Sequence, residues 1–247
     1  MNLEQFIKCK IPVVEIFTSI SGEGISAGEV LTFVRVAGCN LRCSYCDTTY
    51  SYDESANENE FLTGEEIVKR LVEIGAVKLL CTGGEPLETK KAKRYLPLYL
   101  AREGFDVRIE TNGSCPVYSK EEIATFTDKE VFPLHYVLDV KCPGSLMHEY
   151  NIFEENFSKL RLGDEIKFVV ACQEDIDYAL AVIDKYKFIF STNEVIINFS
   201  PVFKSIETSD IVTMLVEKNS YFMTEGLSVR LSLQIHKVIW PPEMRGV

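Results

Sequence analysis

Apolar, β-branched runs alternate with amphipathic stretches along most of the chain. Val30–Val36, Val77–Cys81, Val107–Glu110, Tyr136–Val140, Ile166–Ala171 and Val195–Phe199 read as strands, and Val229–Ile235 as a further one. The intervening stretches have helical period. Glu65–Ile74 puts Ile67, Val68, Leu71 and Ile74 on one face, Gly75 stops it, and Thr63 with Glu66 forms a capping box at its start. Ile176–Lys187 and Ser209–Lys218 repeat the pattern. Strand–helix alternation predicts an α/β fold with a parallel sheet. About six units are too few to close an eight-stranded barrel. The expectation is therefore a partial, open β/α barrel with a C-terminal extension, a single domain over 1–247, a cysteine loop at 38–48 and a capping segment at about 227–247.

In such folds ligands collect at the C-terminal ends of the strands. The polar and glycine-rich segments obey that rule. The cysteine loop follows the first predicted strand, Thr82-Gly83-Gly84-Glu85-Pro86 the second, and Thr111-Asn112-Gly113-Ser114 the third. Lys141 follows the fourth and Ser200-Pro201 the sixth.

Cys39, Cys43 and Cys46 form a C-x-x-x-C-x-x-C triplet, three thiols within eight residues on a Gly-bearing loop. Such a set can wrap one metal centre. Three ligands on a 4Fe-4S cluster leave one iron open, and an open iron can hold a small molecule by its amino and carboxylate groups. Disulfide pairing is disfavoured by the odd, clustered count. Structural zinc needs four closed ligands, and Cys81 or His135 could complete a set with the triplet. Cys9, Cys81, Cys115, Cys142 and Cys172 sit in or beside apolar runs and read as small buried hydrophobes.

Composition narrows the partners. The formal net charge is −11, from 26 Lys and Arg against 37 Asp and Glu, which disfavours general nucleic-acid binding. No run approaches the roughly 20 apolar residues of a membrane span. Met1–Lys8 has no apolar signal core, so a cytoplasmic, reduced setting is expected. Asp53–Glu60 reads as a solvated acidic loop.

The Cys39/Cys43/Cys46 spacing followed by Gly83-Gly84-Glu85-Pro86 resembles the radical S-adenosylmethionine (SAM) enzymes. Further segments narrow the likeness: Glu15–Gly24, Phe33–Leu41, Cys46-Asp47-Thr48, Ile109–Ser114, Gln234-Ile235-His236-Lys237, Trp240-Pro241-Pro242 and the Gly246-Val247 terminus. Together they resemble the 7-carboxy-7-deazaguanine synthase family, from about Pro12 to Val247.

The resemblance implies one 4Fe-4S cluster, SAM and Mg²⁺ as cofactors. It implies conversion of 6-carboxy-5,6,7,8-tetrahydropterin to 7-carboxy-7-deazaguanine by hydrogen abstraction, ring contraction and loss of ammonia. A flavodoxin or ferredoxin reductant and a homodimer are implied as partners. Residue by residue, Cys39, Cys43 and Cys46 match the cluster ligands and Thr48 the Mg²⁺ ligand. Tyr45, Cys46, Asp47, Gly83, Gly84, Glu85, Asp139, Val140, Lys141, Ser200, Pro201, Val202 and Phe203 match SAM contacts. Ile20, Ser21, Gly22, Glu23, Arg35, Thr82, His236 and the Val247 carboxylate match substrate contacts.

The residues themselves make several of these matches chemically sensible. A guanidinium such as Arg35 grips a carboxylate bidentately. The Glu23 carboxylate can accept hydrogen bonds from an amino group and a ring N–H. A hard cation suits the Thr48 oxygen together with substrate oxygens. Glycines at 83 and 84 would let backbone approach a ligand amino group. By contrast, Ser21 stands where many members have Gln, and Asp139-Val140-Lys141 where Ser-Pro-Lys is common. His236 would lie on a terminal strand. Two rival readings remain beside this one: a glycyl-radical-enzyme activase, which shares the triplet, and a zinc-binding interaction protein.

Overall fold

The computed structural model describes residues 1–127 and 132–247. Its strands in chain order are β1 (Lys10–Ile20), β2 (Val30–Val36), β3 (Glu60–Thr63), β4 (Lys78–Gly83), β5 (Asp106–Thr111), β6 (Leu134–Val140), β7 (Glu165–Val170), β8 (Ile196–Pro201) and β9 (Ser228–Leu231). Helices α1 (Leu3–Phe6), α2 (Gly64–Glu73), α3 (Leu96–Arg102), α4 (Lys120–Ala124), α5 (Phe153–Phe157), α6 (Gln173–Thr192), α7 (Thr208–Thr224) and α8 (His236–Ile239) lie between or after them.

The strands form one sheet in the order β3-β1-β2-β4-β5-β6-β7-β8-β9. From β2 through β4 to β9 every neighbouring pair is parallel, while β1 is antiparallel to both β2 and β3. The sheet stays open, with β3 and β9 at its ends. The α/β, mostly parallel expectation therefore holds, and β9 adds a parallel strand to the six predicted first.

β1 and β3 were not foreseen in the sequence. Pro12 has no N–H to give a ladder, and it argues against reading Lys10–Ile20 as a strand inside a sheet. The β-branched residues Ile11, Val13, Val14, Ile16 and Thr18 were the signal that could have overridden it. A register shift between Val13 and Glu15 sets Glu15 opposite Arg35 of β2.

α2 begins as the sequence requires. The Thr63 side chain accepts from the Glu66 N–H, and Glu66 accepts from the Thr63 N–H. Ile67 and Leu71 are fully buried, but Ile74, expected on the same face, is half exposed at the helix's C-cap. Alternate strand residues, with Phe157, Ile176, Ile183 and Phe190 from α5 and α6, pack into one hydrophobic cluster. Among the described residues no helix is long and apolar enough to cross a membrane.

Cys81, Cys115 and Cys142 are buried as expected, whereas Cys9 is half-buried and Cys172 exposed. The 53–60 segment is mostly exposed, as its charge suggests, with Glu54 the exception among its carboxylates. Glu54 turns inward to Lys91 (2.8 Å) and Lys93 (3.2 Å), and Glu60 enters β3.

Candidate functional site

A cavity of about 490 Å³ opens at the C-terminal ends of β2, β4, β5, β6 and β7, within the range of small-molecule sites. Its wall contains Cys39, Cys43, Cys46, Thr48, Gly83 and Gly84 together with Glu23, Arg35, Asp139, Lys141 and His236. Residues separated by 200 positions in sequence thus share one space.

The cluster-side wall is built by backbone contact. The Gly84 N–H donates to the Val36 carbonyl (2.9 Å) and the Glu85 N–H to the Gly38 carbonyl (2.8 Å). A Cβ on Gly83 would stand 2.1 Å from the Val36 oxygen, and one on Gly84 1.9 Å from the Gly38 oxygen. These glycines are required by the approach of two loops, not solely by a ligand. Lys93, fully buried, donates to the carbonyls of Ala37 (2.8 Å) and Gly38 (2.7 Å), with Glu88 as a 2.7 Å counter-ion. It ties down the peptide that leads into Cys39.

Glu85 corrects one expectation. It is not on the cavity wall but fully buried behind it. Its carboxylate accepts from Leu87 N–H (2.8 Å), Thr111 hydroxyl (2.7 Å) and Asn112 N–H (2.7 Å). It fixes the β5 loop against the β4 loop, and burial pushes its carboxyl up despite those donors. Asn112, so held, points its amide at the Cys39 sulfur (3.8 Å).

The three thiols share the cavity wall. Burial pushes Cys39 and Cys43 up, and neighbouring thiols add to the rise in each. Thiolates are the metal-binding form, so cluster binding would release the protons of these two thiols. Among the described residues no three His, Cys, Asp or Glu side chains are already closed upon a metal ion. The donor set nevertheless fits a cluster with an open iron: three sulfurs, and neither candidate fourth ligand on the wall. Cys81 packs in the hydrophobic core, and His135 is on β6 beside Asp164, 3.8 Å away. Neither of these two therefore completes a four-ligand zinc site with the triplet. Thr48 is on the wall with its hydroxyl 3.7 Å from the Cys46 sulfur.

Of the other SAM-side residues, Tyr45, Asp47, Asp139, Lys141, Val202 and Phe203 reach the cavity. Lys141 pairs with Asp139 at 2.8 Å, and Asp47 with Lys237 at 2.6 Å. Burial alone would raise the Asp139 carboxyl, but Lys141 and Lys167 hold it below the usual carboxylate range. Val140, Ser200 and Pro201 are not on the wall. For Val140 alternation along the strand explains it: it sits between two cavity-facing residues and points into the core. Ser200 is fully buried, and its hydroxyl has no hydrogen-bond partner.

The substrate-side wall is built by charged side chains. Arg35 donates through Nε to Glu15 (2.7 Å), and the Tyr50 hydroxyl donates to the same carboxylate oxygen (3.2 Å). The guanidinium therefore already has one internal counter-ion, while its side chain also lines the cavity. Ile20 through Glu23 and Thr82 line it too. Ser21 is buried and bonds Ser26 (2.9 Å), so its hydroxyl is spent on shaping its own loop. That loop rests on fully buried Glu165, which accepts from Ile25 N–H (2.8 Å) and pairs with Arg108 (2.9 Å).

The C-terminal segment closes this side. The Ile235 N–H donates to the Gly22 carbonyl at 3.0 Å. β9 stops at Leu231, so His236 is not on a strand but begins α8. A Cβ on Gly22 would stand 1.9 Å from His236 Nδ1, and burial lowers the imidazole's pKa. Pro241 through Val247 continue along the wall. Arg245 stacks 3.7 Å from the Tyr50 ring centroid and pairs with Glu58 at 3.5 Å.

Lys167, Glu110 and Gln234 carried no role in the sequence reading, yet all line the cavity. Lys167 offered the same signal as Arg35, a lone cation inside an apolar strand.

Residues 33–141 match the model of the radical SAM superfamily. A 7-carboxy-7-deazaguanine synthase of Clostridium acetobutylicum is 36% identical over 235 residues, covering 95% of this chain and 98% of that protein. One from Koribacter versatilis is 33% identical, covering 95% and 99%. Among solved structures, QueE from Escherichia coli superposes with a TM-score of 0.64 at 19% identity over 91% of this chain and 93% of that one, a likeness of fold.

Proposed function

The chain belongs to the 7-carboxy-7-deazaguanine synthase family of radical SAM enzymes, and from that premise we propose that it converts 6-carboxy-5,6,7,8-tetrahydropterin to 7-carboxy-7-deazaguanine with loss of ammonia. It is a lyase that works with a 4Fe-4S cluster and SAM. The observation that carries the reading is the shared cavity. Three cysteines and the Gly83-Gly84 turn line the same space as Arg35, Glu23 and His236.

When bound, the cluster and SAM supply a carbon-centred radical able to take hydrogen from the substrate. The chain's own residues do the rest. Cys39, Cys43 and Cys46 hold the cluster. Gly83 and Gly84 would admit the SAM amino acid by backbone, and Asp139, paired with Lys141, would accept from ribose hydroxyls. Arg35 takes the substrate carboxylate, with Glu15 keeping the guanidinium oriented. Glu23 accepts N–H groups of the pyrimidine edge. Thr48 would offer an oxygen to Mg²⁺, a hard cation suited to oxygen ligands. His236 and the 241–247 segment, including Val247, exclude water from this end.

The same reading takes 1–247 as one domain, acting in the cytoplasm as a homodimer with a flavodoxin- or ferredoxin-type reductant. An activase for another enzyme needs a groove open to a protein chain. Here Pro241–Val247 run along the cavity wall, which favours a small substrate. The test is anaerobic reconstitution with iron and sulfide, then incubation with SAM, dithionite, Mg²⁺ and the carboxy-tetrahydropterin. Mass spectrometry should find the deazaguanine product. A protein that cleaves SAM yet leaves the pterin unchanged overturns the substrate assignment.

A further inference from the structure

We propose that Lys167 is a positioning residue shared by both ends of the cavity: its single ammonium aligns Glu23, Glu110 and Asp139, so the pterin end and the SAM end are set together. The proposal rests on the assignment of Glu23 to substrate and Asp139 to SAM made above.

Lys167 occupies the middle of β7, where its register partners are Asp139 on β6 and Asn198 on β8. It is buried, and its Nζ lies 3.0 Å from Glu23, 3.3 Å from Asp139 and 3.7 Å from Glu110. An ammonium has three N–H donors and no acceptor, so it can serve all three carboxylates at once. The other oxygen of each carboxylate is held by a different group. Gln234 donates to Glu23 Oε1 (2.7 Å), Lys141 to Asp139 Oδ2 (2.8 Å) and Thr82 to Glu110 Oε2 (2.9 Å). Each of those three partners serves one carboxylate; Lys167 alone among these groups serves every one.

The energetics favour alignment over mere adhesion. An exposed ion pair would contribute little. Here removal of the cation leaves three partly buried carboxylates close to one another, which repel until one turns away or takes a proton. A carboxylate that turns away no longer presents its lone pairs to a ligand. Loss of Lys167 is therefore felt at both ends, whereas loss of Lys141 or Gln234 is felt at one.

The experiment is calorimetric binding of SAM and of the carboxy-tetrahydropterin, measured separately on anaerobically reconstituted protein. Lys167→Met should weaken both by roughly tenfold or more, the scale of a lost hydrogen bond to a charged group. Lys141→Met should weaken SAM alone, and Gln234→Ala the pterin alone. Lys167→Arg should stay within a few-fold of wild type for both. Adding Glu110→Gln to Lys167→Met removes one of the crowded anions and should recover part of both affinities, which a simple packing defect would not allow. Should Lys167→Met not fold, Lys167→Gln with Glu110→Gln carries the same comparison. If wild type binds both ligands and the Lys167 variant loses only one, or neither, the proposal is overturned while the functional reading stands. Wild-type protein that binds SAM but not the pterin overturns the functional reading, and this proposal with it.

Discussion

The two walls of the cavity are made differently. On the cluster side, main chain lies against main chain: Gly84 on Val36, Glu85 on Gly38, with Lys93 clasping the carbonyls of Ala37 and Gly38. On the substrate side, side chains from distant segments hold one another: Glu15 with Arg35, Gln234 and Lys167 with Glu23, Arg245 against Tyr50. A backbone wall tolerates no added atom, because packed interiors yield little. A side-chain wall can exchange partners and so can close around a substrate. The lesson is that the residues proposed to hold the cluster are set by main-chain contacts, and those proposed to hold the substrate by side-chain pairs.

The largest expected effect tests the stiff wall directly. Cys43→Ala should abolish SAM cleavage, since two thiols cannot hold the cluster; reductive cleavage by a reconstituted mutant would remove Cys43 from the ligand set. Gly84→Ala should come next. Its Cβ would stand 1.9 Å from the Gly38 oxygen, so overpacking should cost about 1–3 kcal/mol and reduce iron bound per chain. Iron analysis with thermal melting checks this, and full iron at an unchanged melting temperature would break the contrast between the walls.

Changes on the other side should spare SAM. Arg35→Lys loses the bidentate fork and should weaken pterin binding roughly tenfold while SAM affinity stays near wild type. Equal loss of both ligands by calorimetry would show that the walls are not separable there. Thr48→Val should remove most of the magnesium stimulation of turnover; an unchanged dependence on magnesium concentration places the ion elsewhere. The smallest effect is at the rim. Arg245→Ala gives up a stacking contact worth about 0.5–1 kcal/mol, so the pterin KM should rise only a few-fold with SAM cleavage unaltered.

Legibility in the sequence followed the same division. The cysteine triplet and the helix start at Thr63 were readable because each acts through its near neighbours in the chain, and Gly83-Gly84 because a glycine pair marks a turn, although what it packs on, Val36 and Gly38, belongs to another loop. Glu85 was readable as part of a motif but not as a buried brace, because its partners Thr111 and Asn112 come from the next strand's end. Val140 and Ser200 were named through the family resemblance; strand alternation turns Val140 into the core, while Ser200 is fully buried off the wall. Lys167 was passed over, although a charge embedded in Ile166–Val170 was visible. What it pairs with depends on three other elements.

The sequence by itself determined the strand–helix alternation, the parallel sheet that follows from it, and the loop chemistry of Cys39–Cys46 and Gly83-Gly84. These are set by period, by spacing and by the steric freedom of glycine, all local properties. Only the tertiary structure decided that β1 inserts beside β2 and places Glu15 on Arg35, that Ile235 docks on Gly22, and that Lys167 gathers Glu23, Glu110 and Asp139. The physical reason is that a buried charge takes its partner from whatever the fold brings within hydrogen-bond reach, and that distance is a property of the packed sheet rather than of the order of residues along the chain.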